Sequence, residues 1–357
     1  MSIKRTLLSS LAALFSGVAS TWGQNNYATN VVGFYERALP AGQYRAVANQ
    51  FSTANNTLAS LFPNPPVGSQ LLKWNGGWNA SWFDDIDLVW YPNGSATLNP
   101  GEGGLFQSPV ATTLTFCGDV CRGTMTNMLP YNTLVMRSCM LPVAGLIQTD
   151  LSIPGEPADT VNVYYGGWNT SWFDDIDLIW SPTEPSISLG ESFMYNKYGA
   201  QDEWVLSYTP DSLPVTGNMR LQIASLGNRQ FQLSLANAAA GLSYALMTKD
   251  HLNDPLWTLE TTLTGTAPVV IEAGTRASAF FRAMRTAQDS DGDGIPDWWT
   301  MCYFGHPAGQ SSDGSLATSD PDGDGKSNLQ EYMGGTNPKL AESLTIFVAE
   351  PKLLNVP

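Results

Sequence analysis

The sequence predicts a mainly β protein: two tandem β-repeats of about ninety residues, an immunoglobulin- or fibronectin-like β-sandwich, and a C-terminal segment built on acidic loops. Three observations predict it. The run GGWNASWFDDIDLVW beginning at Gly76 returns ninety positions later at Gly166 as GGWNTSWFDDIDLIW, identical at thirteen of fifteen positions. Short β-prone runs separated by Gly, Pro and Asn fill the first 286 residues, and sustained apolar spacing of 3.6 is missing from most of them. Near the C-terminus, Asp289, Asp291 and Asp293 alternate ahead of Gly294, and Asp320, Asp322 and Asp324 do so ahead of Gly325.

Taken in order, residues 1–23 form a leader: Lys4 and Arg5, an apolar run from Leu7 to Ala19, then small residues, with cleavage expected between Ala19 and Gln24. This implies a secreted or cell-surface protein. Residues 25–122 and 123–214 are the two repeats, since Leu39-Pro40 matches Leu129-Pro130, and Gly101-Glu102 matches Gly190-Glu191. In the first copy Gln70–Trp74 and Trp78–Phe83 flank Asn75-Gly76-Gly77, a hairpin signal because Asn and Gly tolerate positive φ. Further strands are expected at 105–106 and 113–116, and a short helix at 57–62. Residues 218–286 carry five strand-like runs with turn residues between them, the spacing of a sandwich, and the Ala-rich stretch 236–240 reads as a loop. In 287–340 short helices are expected at 298–304 and 329–333, the second stopped by Gly334-Gly335. The tail, 341–357, begins like a strand and is either an added strand or the start of another domain.

Composition narrows the function. With 17 Lys and Arg against 32 Asp and Glu, a net charge of −15, the chain lacks the basic clusters that nucleic acid requires. No later segment is long and apolar enough for a membrane span. Four cysteines in an exported chain allow three disulfide pairings. His251 and His306 are the only histidines, little material for a His-based triad or a zinc hydrolase.

The acidic loops carry the sharpest chemistry. In 320–331, oxygen-bearing side chains stand at loop positions 1, 3, 5, 9 and 12 as Asp320, Asp322, Asp324, Asn328 and Glu331, Lys326 offers its carbonyl at position 7, and Gly325 turns the chain at position 6. That is the twelve-residue EF-hand register for Ca²⁺, a hard cation wanting six to eight oxygens. The upstream copy places Asp289, Asp291, Asp293, the Ile295 carbonyl and Asp297 at positions 1, 3, 5, 7 and 9. Its position 12 is Thr300, which cannot chelate through two oxygens, so this loop should be weaker or completed from elsewhere, as by Asp313.

The pairing DSDGDGIPDWW, YFG and DPDGDGKSNLQEYMGGTNP resembles the type 3 repeats of thrombospondins and the aspartate-rich linkers of exported proteins of Verrucomicrobia and Planctomycetes. It covers about fifty residues and implies calcium as ligand. Those linkers usually carry Glu after the first Trp-Trp, where this chain has Thr300. Dockerins use similar paired loops, but their Leu and Lys recognition pattern is not evident here. The ninety-residue repeat is more loosely similar to an uncharacterised repeat of exported verrucomicrobial proteins, which implies no activity.

For the repeated motif, Trp78, Trp82, Asp84, Asp85, Asp87 and Trp90 with their counterparts Trp168, Trp172, Asp174, Asp175, Asp177 and Trp180, three readings stand side by side. The aromatics can anchor a small core while the carboxylates cap turns; the indoles can stack on sugar rings beside polar groups; or the carboxylates can hold calcium. The expectation is that Trp82 and Trp172 are core anchors. The functional expectation is a non-catalytic, calcium-binding surface or matrix protein of structural or adhesive role. The alternatives are a carbohydrate-binding protein and, third, a carboxylate-based glycoside hydrolase; the partners implied are calcium and polysaccharide or matrix components.

Overall fold

The computed structural model describes residues 28, 30–92, 94–209 and 218–342, so the leader, 1–23, and nearly all of the expected tail strand lie outside the described residues. The protein is mainly β. The first repeat forms β1 (Val32–Leu39), β2 (Arg45–Val47), β3 (Phe51–Ser52), helix α1 (Leu58–Leu61), β4 (Gln70–Trp74), β5 (Trp78–Phe83), β6 (Trp90–Tyr91), β7 (Gly104–Gln107) and β8 (Thr112–Val120). The second forms β9 (Gly123–Leu129), β10 (Leu134–Ser138), β11 (Gly145–Leu146), β12 (Thr160–Tyr164), β13 (Trp168–Phe173), β14 (Trp180–Ser181), β15 (Ser186–Ile187), β16 (Ser192–Asn196) and β17 (Asp202–Tyr208). The internal repeat is geometric as well as sequential. One copy has a five-stranded sheet in the order β2-β7-β4-β5-β6, and the other has β10-β16-β12-β13-β14. In each, the first and last strands pair antiparallel, β1 with β8 and β9 with β17. The hairpin turns match too, with the Asn75 N–H donating to the Gly77 carbonyl and the Tyr165 N–H to that of Gly167, both at 3.0 Å.

The copies grip each other reciprocally. The Ala48 N–H donates to the Gly190 carbonyl at 2.9 Å, and ninety residues on, the Ser138 N–H donates to Gly101 at 3.1 Å. Both glycines have positive φ, 91° at Gly101 and 70° at Gly190. A Cβ on Gly190 would sit 2.5 Å from the Tyr35 ring, so only glycine admits this approach. One large core cluster runs through both copies and includes Phe83, Trp90 and Phe106 with their counterparts Phe173, Trp180 and Tyr195.

The third region adds β18 (Arg220–Gly227), β19 (Gln230–Ala236), β20 (Ser243–Lys249), β21 (Thr258–Thr264), β22 (Val269–Glu272) and β23 (Ser278–Arg285). The five expected strands are present, the Ala-rich stretch is a loop, and β21 is additional. Residues 218–286 are not self-contained. Their larger sheet continues into the first repeat in the order β21-β20-β23-β1-β8-β3, facing β18-β19-β22. The reason lies in β1, whose Val32 and Phe34 enter one core while Tyr35 and Leu39 enter the other. Phe34 stacks on Phe231 at 3.9 Å between centroids, and a Cβ on Gly33 would lie 2.6 Å from the Phe280 ring. The four cysteines are free thiols, with Cys139 and Cys302 each pushed up to about 12 by burial. Helices α2 (Asp297–Phe304) and α3 (Asn328–Gly334) close the described chain, α3 with a capping box between Ser327 and Gln330 and a left-handed Gly335 at its end. No helix among the described residues is long and apolar enough to cross a membrane.

The anchors of the repeated motif are not the ones expected from sequence. Trp90 and Trp180 are 5% exposed, whereas Trp82 and Trp172 are 38% and 45% exposed. Strand β5 alternates, sending Ser81 and Phe83 inward and Trp78, Ala80 and Trp82 to the other face. Trp90→Ala deletes a buried indole whose N–H donates to the Phe62 carbonyl at 2.9 Å, and should cost about 3 to 5 kcal/mol. Trp82→Ala should cost no more than about 1 kcal/mol. Denaturant melts of the two variants check this ranking, and equal losses would contradict it.

Candidate metal centre and aromatic cleft

The two acidic loops fold alike. Asp289 accepts from the N–H groups of Gly292 and Gly294 at 2.7 and 2.9 Å, and Asp320 accepts from Gly323 and Gly325 at 2.8 and 2.9 Å. Asp293 takes the Ile295 N–H, and Asp324 the Lys326 N–H, both at 2.8 Å. Gly294 and Gly325 have φ of 91° and 93°, as a sharp turn at position 6 demands. In each loop the three leading aspartates bring carboxylate oxygens within 4.8 Å of one another. Among the described residues, these are the two acidic groupings that could hold a metal ion.

At positions 3, 9 and 12 the loops part. In the second, Asp322 Oδ2, Asn328 Oδ1 and both carboxylate oxygens of Glu331 are buried without a hydrogen-bond partner. Asn328 is fixed through its amide nitrogen, which donates to the carbonyls of Gly314 and Leu316 at 2.8 Å each. Glu331 is 1% exposed, and the Lys326 ammonium at 3.8 Å lies beyond hydrogen-bonding distance. In the first loop the corresponding oxygens are engaged. Asp291 accepts from the Gly309 N–H at 2.7 Å, and Asp297 from the Ser290 N–H and hydroxyl at 2.7 and 2.6 Å. Thr300 is buried at position 12. Asp313, the candidate ligand from elsewhere, instead accepts from Ser315 and pairs with His306 at 2.5 Å. Its burial is outweighed by those partners, which hold its carboxyl at about 2.

A small aromatic core joins the loops. Trp299 packs with Ile295 and Ala317 and meets Tyr332 edge-on at 6.0 Å, while Met301, on the same helix, enters the large core. Sequence reasoning alone expects little apolar surface in this segment; the structure supplies this cluster, and α2 ties it to the sandwich.

In the repeated motif, Asp84 and Asp174 shape their loops. Asp84 accepts from the N–H groups of Asp87 and Ile86 at 3.0 and 2.9 Å, and Asp174 does the same with Asp177 and Ile176. Those bonds hold both carboxyls below the usual range. Asp85, Asp87, Asp175 and Asp177 are exposed and join no metal-sized grouping among the described residues.

The tryptophans of the motif gather instead where the two repeats meet. The rings of Trp78 and Trp168 stack at 6.3 Å with planes 20° apart. Trp74 meets Trp78 edge-on at 5.2 Å, and its counterpart Tyr164 meets Trp168 edge-on at 5.0 Å. Below them Ala46, Leu105, Met136 and Met194 form a buried cluster drawn from both copies. A cavity of about 240 Å³ opens between Trp74, Trp78, Leu134, Asn162, Trp168 and Met194. Trp74, Tyr164 and Asn162 were outside the sequence-based site; the ninety-residue offset pairs Trp74 with Tyr164, a signal available in the sequence. No protein-family model, curated protein or solved structure matches the chain.

Asp297 carries a pH prediction. Burial raises its carboxyl to about 7, partly offset by Ser290, so its folded value stands above the unfolded one. Its unfavourable contribution is absent below the unfolded value, near 3.9, and grows as pH rises through the folded one. In metal-free buffer the segment should melt at a lower temperature at pH 8 than at pH 5. Asp297→Asn, the residue found at the matching position 328, should reduce that fall; an undiminished fall would contradict it.

Proposed function

We propose that the protein is an exported, non-catalytic calcium-binding protein with a structural or adhesive role, in which Ca²⁺ completes the second acidic loop and steadies the C-terminal segment. The observation that carries this reading is the set of buried, unpartnered oxygens on Asp322, Asn328 and Glu331. A carboxylate buried without a hydrogen-bond partner is costly even with the Lys326 ammonium 3.8 Å away, and a hard cation ligated by those oxygens offsets that cost. Asp320, Asp322, Asp324, the Lys326 carbonyl, Asn328 and Glu331 would supply the oxygens. Bound metal would also relieve the repulsion in the first loop, where burial and then the charges of Asp291 and Asp289 raise the Asp293 carboxyl.

The leader read in residues 1–23 supports export to a calcium-rich compartment. A non-catalytic role is supported by the motif carboxylates, because a glycosidase acid needs a raised pKa whereas Asp84 and Asp174 are lowered.

Calorimetry should resolve two unequal sites, the weaker with a dissociation constant of about 0.1 to 1 mM. Glu331→Gln should abolish the tighter one, and Thr300→Glu should strengthen the other. Two equal sites in the unmodified protein would overturn the ranking. Limited proteolysis between residues 289 and 338 should be fast in chelator and slow in millimolar Ca²⁺. Equal rates would count against a structural role for the ion.

A further inference from the structure

We infer that the cleft between the two repeats is a binding site for a neutral polysaccharide, built from Trp78 and Trp168 with Trp82 and Trp172 as outlying platforms. This goes beyond calcium binding and uses none of the calcium loops. Trp78 and Trp168 are each 40% exposed, and Trp82 and Trp172 lie four residues further along β5 and β13, on the same strand faces. Four residues of strand span about 13 Å, so each strand presents two indoles at a separation that several linked sugars cover and one ring does not. The indoles are held before any ligand arrives: Trp74 and Tyr164 buttress Trp78 and Trp168 edge-on, and the Trp74 N–H is fixed on the Leu134 carbonyl at 2.8 Å.

Charge and chemistry select the ligand class. The electron-rich face of an indole attracts the slightly positive C–H face of a pyranose, while the hydroxyls around the ring need hydrogen-bonding groups at the edge. Asn162 lines the cavity, and its Oδ1 accepts from the Thr170 hydroxyl at 2.6 Å, which leaves amide N–H donors as what this side chain offers a ligand. No Lys or Arg lines the cavity, and the protein carries a net charge of −15, which disfavours anionic glycans. A purely apolar partner would fit this cleft less well, because the second copy has Asn162 where the first has Leu72.

The test is affinity electrophoresis of the full mature protein in gels containing laminarin, hydroxyethyl cellulose, xylan or galactomannan, with alginate as the anionic control. Each gel is run with Ca²⁺ and with chelator. At least one neutral polymer should retard the protein in both conditions, and alginate should not. Trp78→Ala and Trp168→Ala should each weaken that retardation at least tenfold. Should these variants fail to fold, Asn162→Leu, which copies the first repeat, and the exposed Trp82→Ala and Trp172→Ala serve in their place and should weaken it at an unchanged Tm. Retardation by none of the neutral polymers, equal retardation by alginate, or full retention in folded cleft variants would overturn the proposal. Retardation lost in chelator would also overturn it, by placing the ligand at the calcium loops. Failure of calcium binding alone would leave the retardation intact, so the two readings fail separately.

Discussion

The first half of strand β1, Val32–Tyr35, is buried on both faces, and the rest of the architecture hangs from it. On one side Tyr35 joins the core shared by the two repeats; on the other Phe34 stacks on Phe231 in the sandwich. Its edges are filled as well, by β8 and β23. With both faces and both edges covered over Val32–Tyr35, β1 couples the first repeat to the sandwich. The coupling extends to the C-terminus through α2, which sends Met301 into the large core and Trp299 into the aromatic cluster beneath the acidic loops. Order in those loops is therefore mechanically connected to the sandwich.

Duplication explains much of the remaining geometry. Two copies with the same strand order meet through matching contacts, Ala48 with Gly190 and Ser138 with Gly101. Contacts of this kind place equivalent residues face to face, which is why Trp78 finds Trp168 and Leu105 shares a cluster with Met194. Divergence then works locally. Buried Lys197 lies between Asp159 and Glu156, both at 3.0 Å, where the first copy has Ser108, Ser69 and Pro66. The acidic loops follow the same pattern: one scaffold used twice, with buried oxygens lacking hydrogen-bond partners on Asp322, Asn328 and Glu331 in one copy, and Asp291 and Asp297 engaged and Thr300 at position 12 in the other.

Local chemistry was legible in the sequence. Gly294 and Gly325 were expected where the chain turns sharply and have φ of 91° and 93°, and Asn75-Gly76-Gly77 marked a hairpin that the structure contains. What the sequence did not reveal depends on which face of a strand is covered. Alternation in β5 separates Trp82 from Phe83, but both faces carry aromatics, so the pattern does not say which points inward. In β1 apolar residues fall on both faces, and its place beside β23 follows from tertiary packing rather than from any local period. Strand β21 was missed because its threonines leave mainly Leu263 to the core. The cleft is invisible in one copy and emerges when two copies meet.

The central claim, that the buried oxygens of the second loop are cation ligands, is tested most directly by terbium luminescence. Tb³⁺ is a hard cation that takes oxygen ligands as Ca²⁺ does, and Trp299, in the cluster with Ile295 and Leu329 of the two loops, serves as the sensitiser. Exciting tryptophan in the metal-free protein after adding Tb³⁺ should give lanthanide emission that excess Ca²⁺ displaces, and replacing Asn328 with Leu should sharply reduce it. Emission unaffected by Ca²⁺ and undiminished in that variant would show that the oxygens of this loop do not bind the ion.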